Sequence, residues 1–216
     1  MDTDFRRART DEQRAVRRGD ILTLTRRLLA EHRVADVSLN EIARRVGLAK
    51  SNVLRYFGSR EAILLVLLST DYEEWVSHVL AALPSTPATD DALAGALAST
   101  LADQPLLCEL LTAAPTVLEH NVTPDEVRGF KLSIQGSMER LVDGIEGRLG
   151  DWNERQRGQF LGGLHAFITH TWGLANPSPA LVAAMAVEPR IVGLPGGFGQ
   201  VLQDALATLL AGVRAA

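Results

Sequence analysis

Residues 50 to 60 read Lys-Ser-Asn-Val-Leu-Arg-Tyr-Phe-Gly-Ser-Arg, a run of hydrogen-bond donors without a single acid. Lys, Asn and Arg can meet acceptor edges of bases, while Ser, Tyr and a second Arg can meet phosphate oxygens. The chemistry open to such a set is recognition of a polyanion rather than bond making. Val53 and Phe57 stand four apart, so if the run is helical both turn to one side. Lys50, Ser51, Asn52, Leu54, Arg55 and Tyr56 are then left toward solvent or a duplex.

Charge supports that reading. Residues 1 to 65 carry 14 Lys/Arg against 9 Asp/Glu, net +5, whereas residues 66 to 216 carry 8 against 17, net −9. A small basic unit that meets a polyanion is thus joined to an acidic unit that does not.

Signatures of catalysis are absent, and the expectation is that the chain is not an enzyme. There is no Gly-x-Ser-x-Gly elbow, no Walker loop and no His-Glu-x-x-His. Gly193-Leu194-Pro195-Gly196-Gly197-Phe198-Gly199 is glycine-rich but follows no strand, and reads as an interhelical loop. His165 and His170 are five apart, which on a helix leaves them ~140° apart rather than stacked. No metal site and no cofactor are expected. The lone Cys108, beside Leu106, Leu107, Leu110 and Leu111, reads as a buried thiol in a reducing cytoplasm. No apolar run approaches the ~20 residues of a membrane helix, and the N-terminus lacks a hydrophobic signal core. A soluble, cytoplasmic protein is expected.

The elements that must position residues 50 to 60 are helices, because apolar positions recur at helical spacing and alternating strand-type runs are missing. The fold class is all-α. A first helix is expected from about Gln13 to His32, with Val16, Ile21, Leu22, Leu24, Leu28 and Leu29 as its apolar stripe and Arg14, Arg17, Arg18, Arg26 and Arg27 outside. Whether Arg14, Arg17 and Arg18 touch phosphates or simply face water is open at this point. Ser38-Leu39-Asn40-Glu41 can form a capping box that starts a short helix ending at Val46, and Gly47 suits its left-handed exit. A third helix takes Lys50 to Phe57, and Gly58-Ser59 separates it from a longer one, about Arg60 to Leu83. Two short helices joined by a tight turn form a helix-turn-helix, with Ile42, Ala43, Val46, Leu48, Val53 and Phe57 packed onto Ile21, Leu24 and Leu28.

Beyond Pro84-Ser85-Thr86-Pro87, helices are expected near 90 to 102, 105 to 119, 124 to 149, 153 to 175, 179 to 187 and 198 to 214. Thr123 with Glu126, and Asp151 with Glu154, have the spacing of helix-starting caps. The domain reading is a flexible basic arm over 1 to 12, a helix-turn-helix DNA-binding domain over 13 to 60, and a larger helical domain over 61 to 216, to which the resemblance given next assigns effector binding and dimerisation. The arm Phe5-Arg6-Arg7-Ala8-Arg9 either tracks a minor groove or is a disordered terminus.

At Ile21-Leu22, Ala30-Glu31, Val37-Ser38-Leu39-Asn40-Glu41-Ile42-Ala43, Val46-Gly47-Leu48 and Tyr56-Phe57-Gly58-Ser59-Arg60-Glu61-Ala62-Ile63-Leu64, the sequence resembles the TetR family of bacterial transcriptional regulators. The resemblance covers about residues 14 to 66; past that only the architecture matches. It implies a homodimer that reads a near-palindromic double-stranded operator, most simply as a repressor, with a small-molecule pocket in each C-terminal domain that loosens DNA binding when filled. By the same resemblance Lys50 and Ser51 stand where base edges are read, Asn52, Tyr56 and Arg60 where the phosphate backbone is held, and Asn40 where some members reach a base or phosphate. Three positions depart from the pattern: Leu54 replaces a common Tyr, Ala49 a Ser/Thr cap, and Arg33 a frequent Gly.

For the effector, expected to be apolar, the candidate lining is Trp75, His78, Leu111, Met138, Leu141, Phe160, His165 and Phe167. For the dimer interface the candidates are Leu164, Ile168, Leu202, Leu206 and Leu209, on helices whose glycines permit close approach. The competing readings are a helical interaction module and a transcriptional activator without an effector-released repressor role.

Overall fold

The computed structural model describes residues 2–216, with side chains from Glu12 onward. It is helical throughout, with no strand among the described residues. The chain divides into two units, one formed by residues up to Leu67 with Ala113–Gly129, the other by Leu68–Thr112 with Phe130–Ala216.

The first unit contains α1 (Asp2–Glu31), α2 (Leu39–Val46), α3 (Lys50–Tyr56) and the first turns of α4 (Arg60–Ala82). The basic arm expected over residues 1 to 12, Phe5 to Arg9 included, falls outside the residues whose side chains are described. Ile21, Leu28, Ile42 and Val53 are fully buried, and Ala43 and Phe57 nearly so. Val16, expected in the apolar stripe of α1, is instead 62% exposed. It lies five residues before Ile21, about 140° around the helix. Thr25, four after Ile21, takes the buried place, its Oγ1 donating to the Ile21 carbonyl at 2.7 Å.

Local chemistry sets the α2–α3 turn. The Ser38 hydroxyl accepts from the Glu41 amide at 3.2 Å, but Glu41 does not complete the capping box: its carboxylate takes the Arg44 guanidinium at 2.9 Å. That bond holds the Glu41 carboxyl below its usual range. At the far end Gly47 adopts φ 71°, and the amides of Gly47 and Leu48 donate to the carbonyls of Arg44 and Ala43 at 3.2 and 3.0 Å. An L side chain at that φ would carry a steric penalty, which explains the glycine. Ala49 precedes α3 in extended backbone with no side-chain cap.

The second unit contains the remainder of α4, α5 (Asp90–Ala102), most of α6 (Pro105–Ala113), the body of α7 (Pro124–Leu149), α8 (Glu154–Ala175), α9 (Pro179–Val187) and α10 (Gly197–Ala215). α10 packs on α5 and α8. Leu93, Leu97, Phe160, Leu164, Ile168, Leu202, Leu206 and Leu210 fill the space between them and are fully buried. A Cβ on Gly163 of α8 would come within 2.6 Å of Leu209 of α10, so only hydrogen permits this approach.

Two boundaries differ from expectation. The helix expected over 105 to 119 ends at Ala113 and widens into one π turn, Ala114–Leu118. Pro115 has no N–H and its ring crowds the carbonyl four residues back, which breaks the regular ladder there. α8 starts not from the Asp151/Glu154 pair but from Asn153, whose Oδ1 accepts from the Gln156 amide at 3.0 Å while Gln156 Oε1 accepts from the Asn153 amide at 2.9 Å. Trp152, just before this cap, is buried against Phe160, ring centroids 5.2 Å apart. The Thr123/Glu126 box forms as read, with bonds of 2.8 and 3.3 Å.

Candidate nucleic-acid interface

α3 is an acid-free helix of seven residues. Val53 anchors it, and Lys50, Ser51, Asn52 and Arg55 are exposed, with Leu54 at 37% and Tyr56 half-buried. Asn40 at the start of α2 is exposed too. Six of the seven face outward, and Tyr56 is half-exposed at the end of α3. An open groove of about 970 Å³ runs beside them between α1 and α3, lined among others by Arg14, Val16, Arg17, Leu48, Asn52 and Arg55. The exposure of Val16 is thus part of a surface concavity next to the donors.

A short helix leaves its last carbonyls without partners. Here two arginines of α1 supply them. Arg14 donates to the Arg55 carbonyl at 3.1 Å, and Arg18 donates to the Tyr56 carbonyl while its guanidinium carbon lies 4.0 Å above the Phe57 ring. Both bonds place cationic groups at the negative end of the α3 dipole. Burial, then the nearby Arg14, lower the Arg18 pKa, and Glu126 acts in the opposite direction. Arg14 stays exposed while it makes its bond, and Arg18 is half-buried. The signal was available: Arg14 and Arg18 are four apart and so share a face of α1.

Arg60 is also engaged internally. It donates to the Val34 carbonyl and pairs with Glu61 at 3.0 Å, with only 16% of its side chain exposed. It therefore braces the start of α4, alongside Ser59, whose hydroxyl accepts from the Ala62 amide at 3.0 Å.

Arg18→Ala should cost about 1–2 kcal/mol, from one charge-assisted bond and one cation–π contact. Chemical denaturation will measure it, and Arg18→Lys should recover part of the loss. An unchanged midpoint would mean that the α3 end needs no cap.

The residues named for an effector pocket all fall in the second unit. Trp75, Leu111, Leu141 and Phe160 are buried, Met138, His165 and Phe167 half-buried, and His78 exposed. Trp75 and His165 come together around Tyr72, which the sequence reading did not single out. Tyr72 meets Trp75 edge-on at 5.3 Å and stacks on His165 at 5.7 Å. Its spacing of three from Trp75 was the available clue. The Trp75 Nε1 donates to Thr100 Oγ1 at 3.0 Å, whereas the buried Tyr72 hydroxyl has no hydrogen-bond partner. Burial pushes the Tyr72 pKa up and the His165 pKa down. Cys108 lies fully buried, with its thiol pushed up to about 12 by burial.

Four of the five interface candidates are buried within the protomer. Leu164, Ile168, Leu202 and Leu206 have no exposed surface, and Leu209 packs on Gly163. Leu164, Ile168, Leu202 and Leu206 thus belong to the core of one protomer, because the apolar stripe of an amphipathic helix satisfies its own bundle first, while Leu209 is half-buried. Among the described residues no group of three His, Cys, Asp or Glu is arranged to hold a metal, and no helix is long and apolar enough to cross a membrane.

Comparison with known proteins agrees with this geometry. Residues 69–216 match the family model described as tetracyclin repressor-like, C-terminal domain, and residues 21–67 match that of bacterial regulatory proteins, tetR family. The HTH-type transcriptional regulators Rv1816 of Mycobacterium tuberculosis (strain ATCC 25618 / H37Rv) and Mb1846 of Mycobacterium bovis are each 34% identical over 122 residues, 54% of this chain and 52% of theirs. The match thus spans about half the length of these relatives. A crystal structure of a TetR transcriptional regulator from Rhodococcus sp. RHA1 shares the fold, with a TM-score of 0.58 at 16% identity over 92% of this chain and 97% of that one. With a basic helix-turn-helix in front and a family match across the whole helical remainder, the chain belongs to the TetR family of bacterial regulatory proteins.

Proposed function

We propose that this chain is a cytoplasmic, sequence-specific DNA-binding repressor that acts as a homodimer on a near-palindromic operator and is released by a small apolar effector. The observation that carries the reading is the acid-free outer face of α3, presented on a helix whose C-terminal carbonyls Arg14 and Arg18 hold. Two-fold symmetry calls for half-sites about one helical turn apart, or at a spacing the dimer reaches by the same logic.

In this reading Lys50 and Ser51 meet base edges, Lys50 donating to guanine O6/N7, and Leu54 lies against a thymine methyl. Asn40, Asn52, Arg55 and Tyr56 position the backbone. Arg60 acts on DNA only indirectly, through the α4 start that it braces. Residues 13 to 60 form the DNA-binding domain, 1 to 12 a basic arm, and 61 to 216 the effector and dimerisation domain. The effector works by binding one conformation more tightly than the other. Trp75, Tyr72 and His165, one of them with an unpartnered hydroxyl, are the strongest candidates to sense it.

Lys50→Ala is the test of base reading. It should cost ~1–3 kcal/mol at the cognate base pair and relax preference there, while other positions of the operator keep theirs. An equal loss on every duplex, measured by fluorescence anisotropy on single-position operator variants, would make Lys50 a phosphate contact.

A further inference from the structure

Gly58 sits in the turn between α3 and α4, and its backbone does not require glycine: among the described residues, positive φ is confined to Gly47, Gly150, Gly196 and Gly197. Space accounts for it instead. A Cβ on Gly58 would stand 3.1 Å from Oε1 of Glu126 and 3.8 Å from its Cδ, the first closer than an ordinary van der Waals contact. Glu126 is far along the chain, in the first turn of α7, yet Ala113–Gly129 belongs to the same unit as α1, α2 and α3. The carboxylate is not free to step aside. Its Oε2 accepts from the Thr123 amide at 2.8 Å and from the Thr123 hydroxyl at 2.9 Å. A capping box asks no more of a glutamate, so Oε1 remains for the α3–α4 turn. The charge of Glu126 also favours the cationic form of Arg18, whose guanidinium donates to the Tyr56 carbonyl and covers the Phe57 ring. Residues 50 to 60 contain no acid, and the fold brings one to their end from α7.

We infer that Glu126 is a positioning residue for DNA reading: held by Thr123 and set against Gly58, it fixes the exit of α3 so that Lys50, Ser51 and Leu54 meet base edges in one register. This rests on the DNA-binding reading above and adds to it a residue from outside the helix-turn-helix. The need arises from the length of α3. A helix of seven residues is unstable alone and takes its orientation from what packs on it. At its exit, residues 56 to 58 are met by two elements, α1 through Arg18 and α7 through Glu126. Phosphates brought close by a bound duplex compete for any arginine within reach. A fixed carboxylate beside Arg18 opposes that competition and keeps the guanidinium on the α3 end. Charge and space therefore act together, Glu126 holding Arg18 and Gly58 admitting Glu126.

The test is a double-mutant cycle on the affinity of the full chain for a duplex selected by the wild type, with circular dichroism to verify each fold. Glu126→Gln keeps the length of the side chain and its bonds from Thr123 but removes the charge. It should raise Kd about tenfold, mainly by lost discrimination against single-position operator variants, and the loss should vanish in an Arg18→Ala background. A carboxylate that only repels phosphates gives the opposite sign, tighter binding in both backgrounds. One that only caps α7 lowers the unfolding midpoint and leaves the Kd of the folded protein unchanged. Either result, or an equal loss in both backgrounds, overturns the assignment. Gly58→Ala tests the close approach by itself: it should weaken operator binding about tenfold in the wild type and have no effect in Glu126→Ala, whereas additive losses overturn the contact. Should Arg18→Ala fail to fold, the Gly58 and Glu126 pair decides alone. A wild type that prefers no duplex overturns the DNA reading itself, which separates that failure from failure of the Glu126 assignment.

Discussion

Raising salt from 50 to 200 mM is expected to weaken binding of the chain to its operator by about a thousandfold. The size follows from taking about three lysine or arginine contacts with phosphate per protomer, Arg55 among them. Log affinity falls with log salt at a slope near −0.9 per neutralised phosphate, and about six contacts per dimer give a little over three decades across a fourfold change. The count is held down by the structure. Arg14 and Arg18 spend guanidinium donors on the α3 carbonyls, and Arg60 on Val34 and Glu61. Were all three on phosphates in both protomers, the slope would double, to about −11. Titration of a labelled duplex at four salt concentrations reads the slope directly. A slope of about −5 fits the assignments, a slope of about −11 would return the three arginines to the DNA, and a flat response would contradict phosphate contact altogether.

The largest stability effect belongs to Trp75. Its ring is fully buried, held edge-on against Tyr72 and tied by its indole N–H to Thr100. Trp75→Ala should cost ~3–5 kcal/mol, through lost burial, the cavity left behind and the orphaned Thr100 contact. Equilibrium denaturation in the absence of any effector measures it. A cost under ~1 kcal/mol would mean that the ring already borders empty space, as the wall of a ligand cavity would, rather than close-packed side chains.

How far the sequence disclosed this protein differs by region, for physical reasons. Helix boundaries were readable wherever a cap or breaker acts locally, as at Ser38, Gly47, Thr123 and Pro179, because such signals depend only on nearby backbone groups. The outer face of α3 was readable because Val53 and Phe57 fix its rotation. What escaped depends on tertiary neighbours. The bonds of Arg14 and Arg18 to the α3 end, and of Arg60 to Val34, join residues 26 to 41 apart in sequence, which no local pattern shows. Asn153 displaced Asp151 as a cap, with Trp152 buried against Phe160 just before it. In the second unit Leu164, Ile168, Leu202 and Leu206 of α8 and α10 were offered to a partner, yet the protomer's own core takes these four.

The central claim, that α3 reads a defined DNA sequence for a two-fold symmetric protein, is tested most directly by selecting bound duplexes from a random pool, with the wild-type chain and Lys50→Ala/Arg55→Ala in parallel. The account predicts that the wild type enriches a near-palindrome and the double variant does not. Failure of the wild type to enrich any sequence, or enrichment of the same palindrome by both proteins, would contradict it.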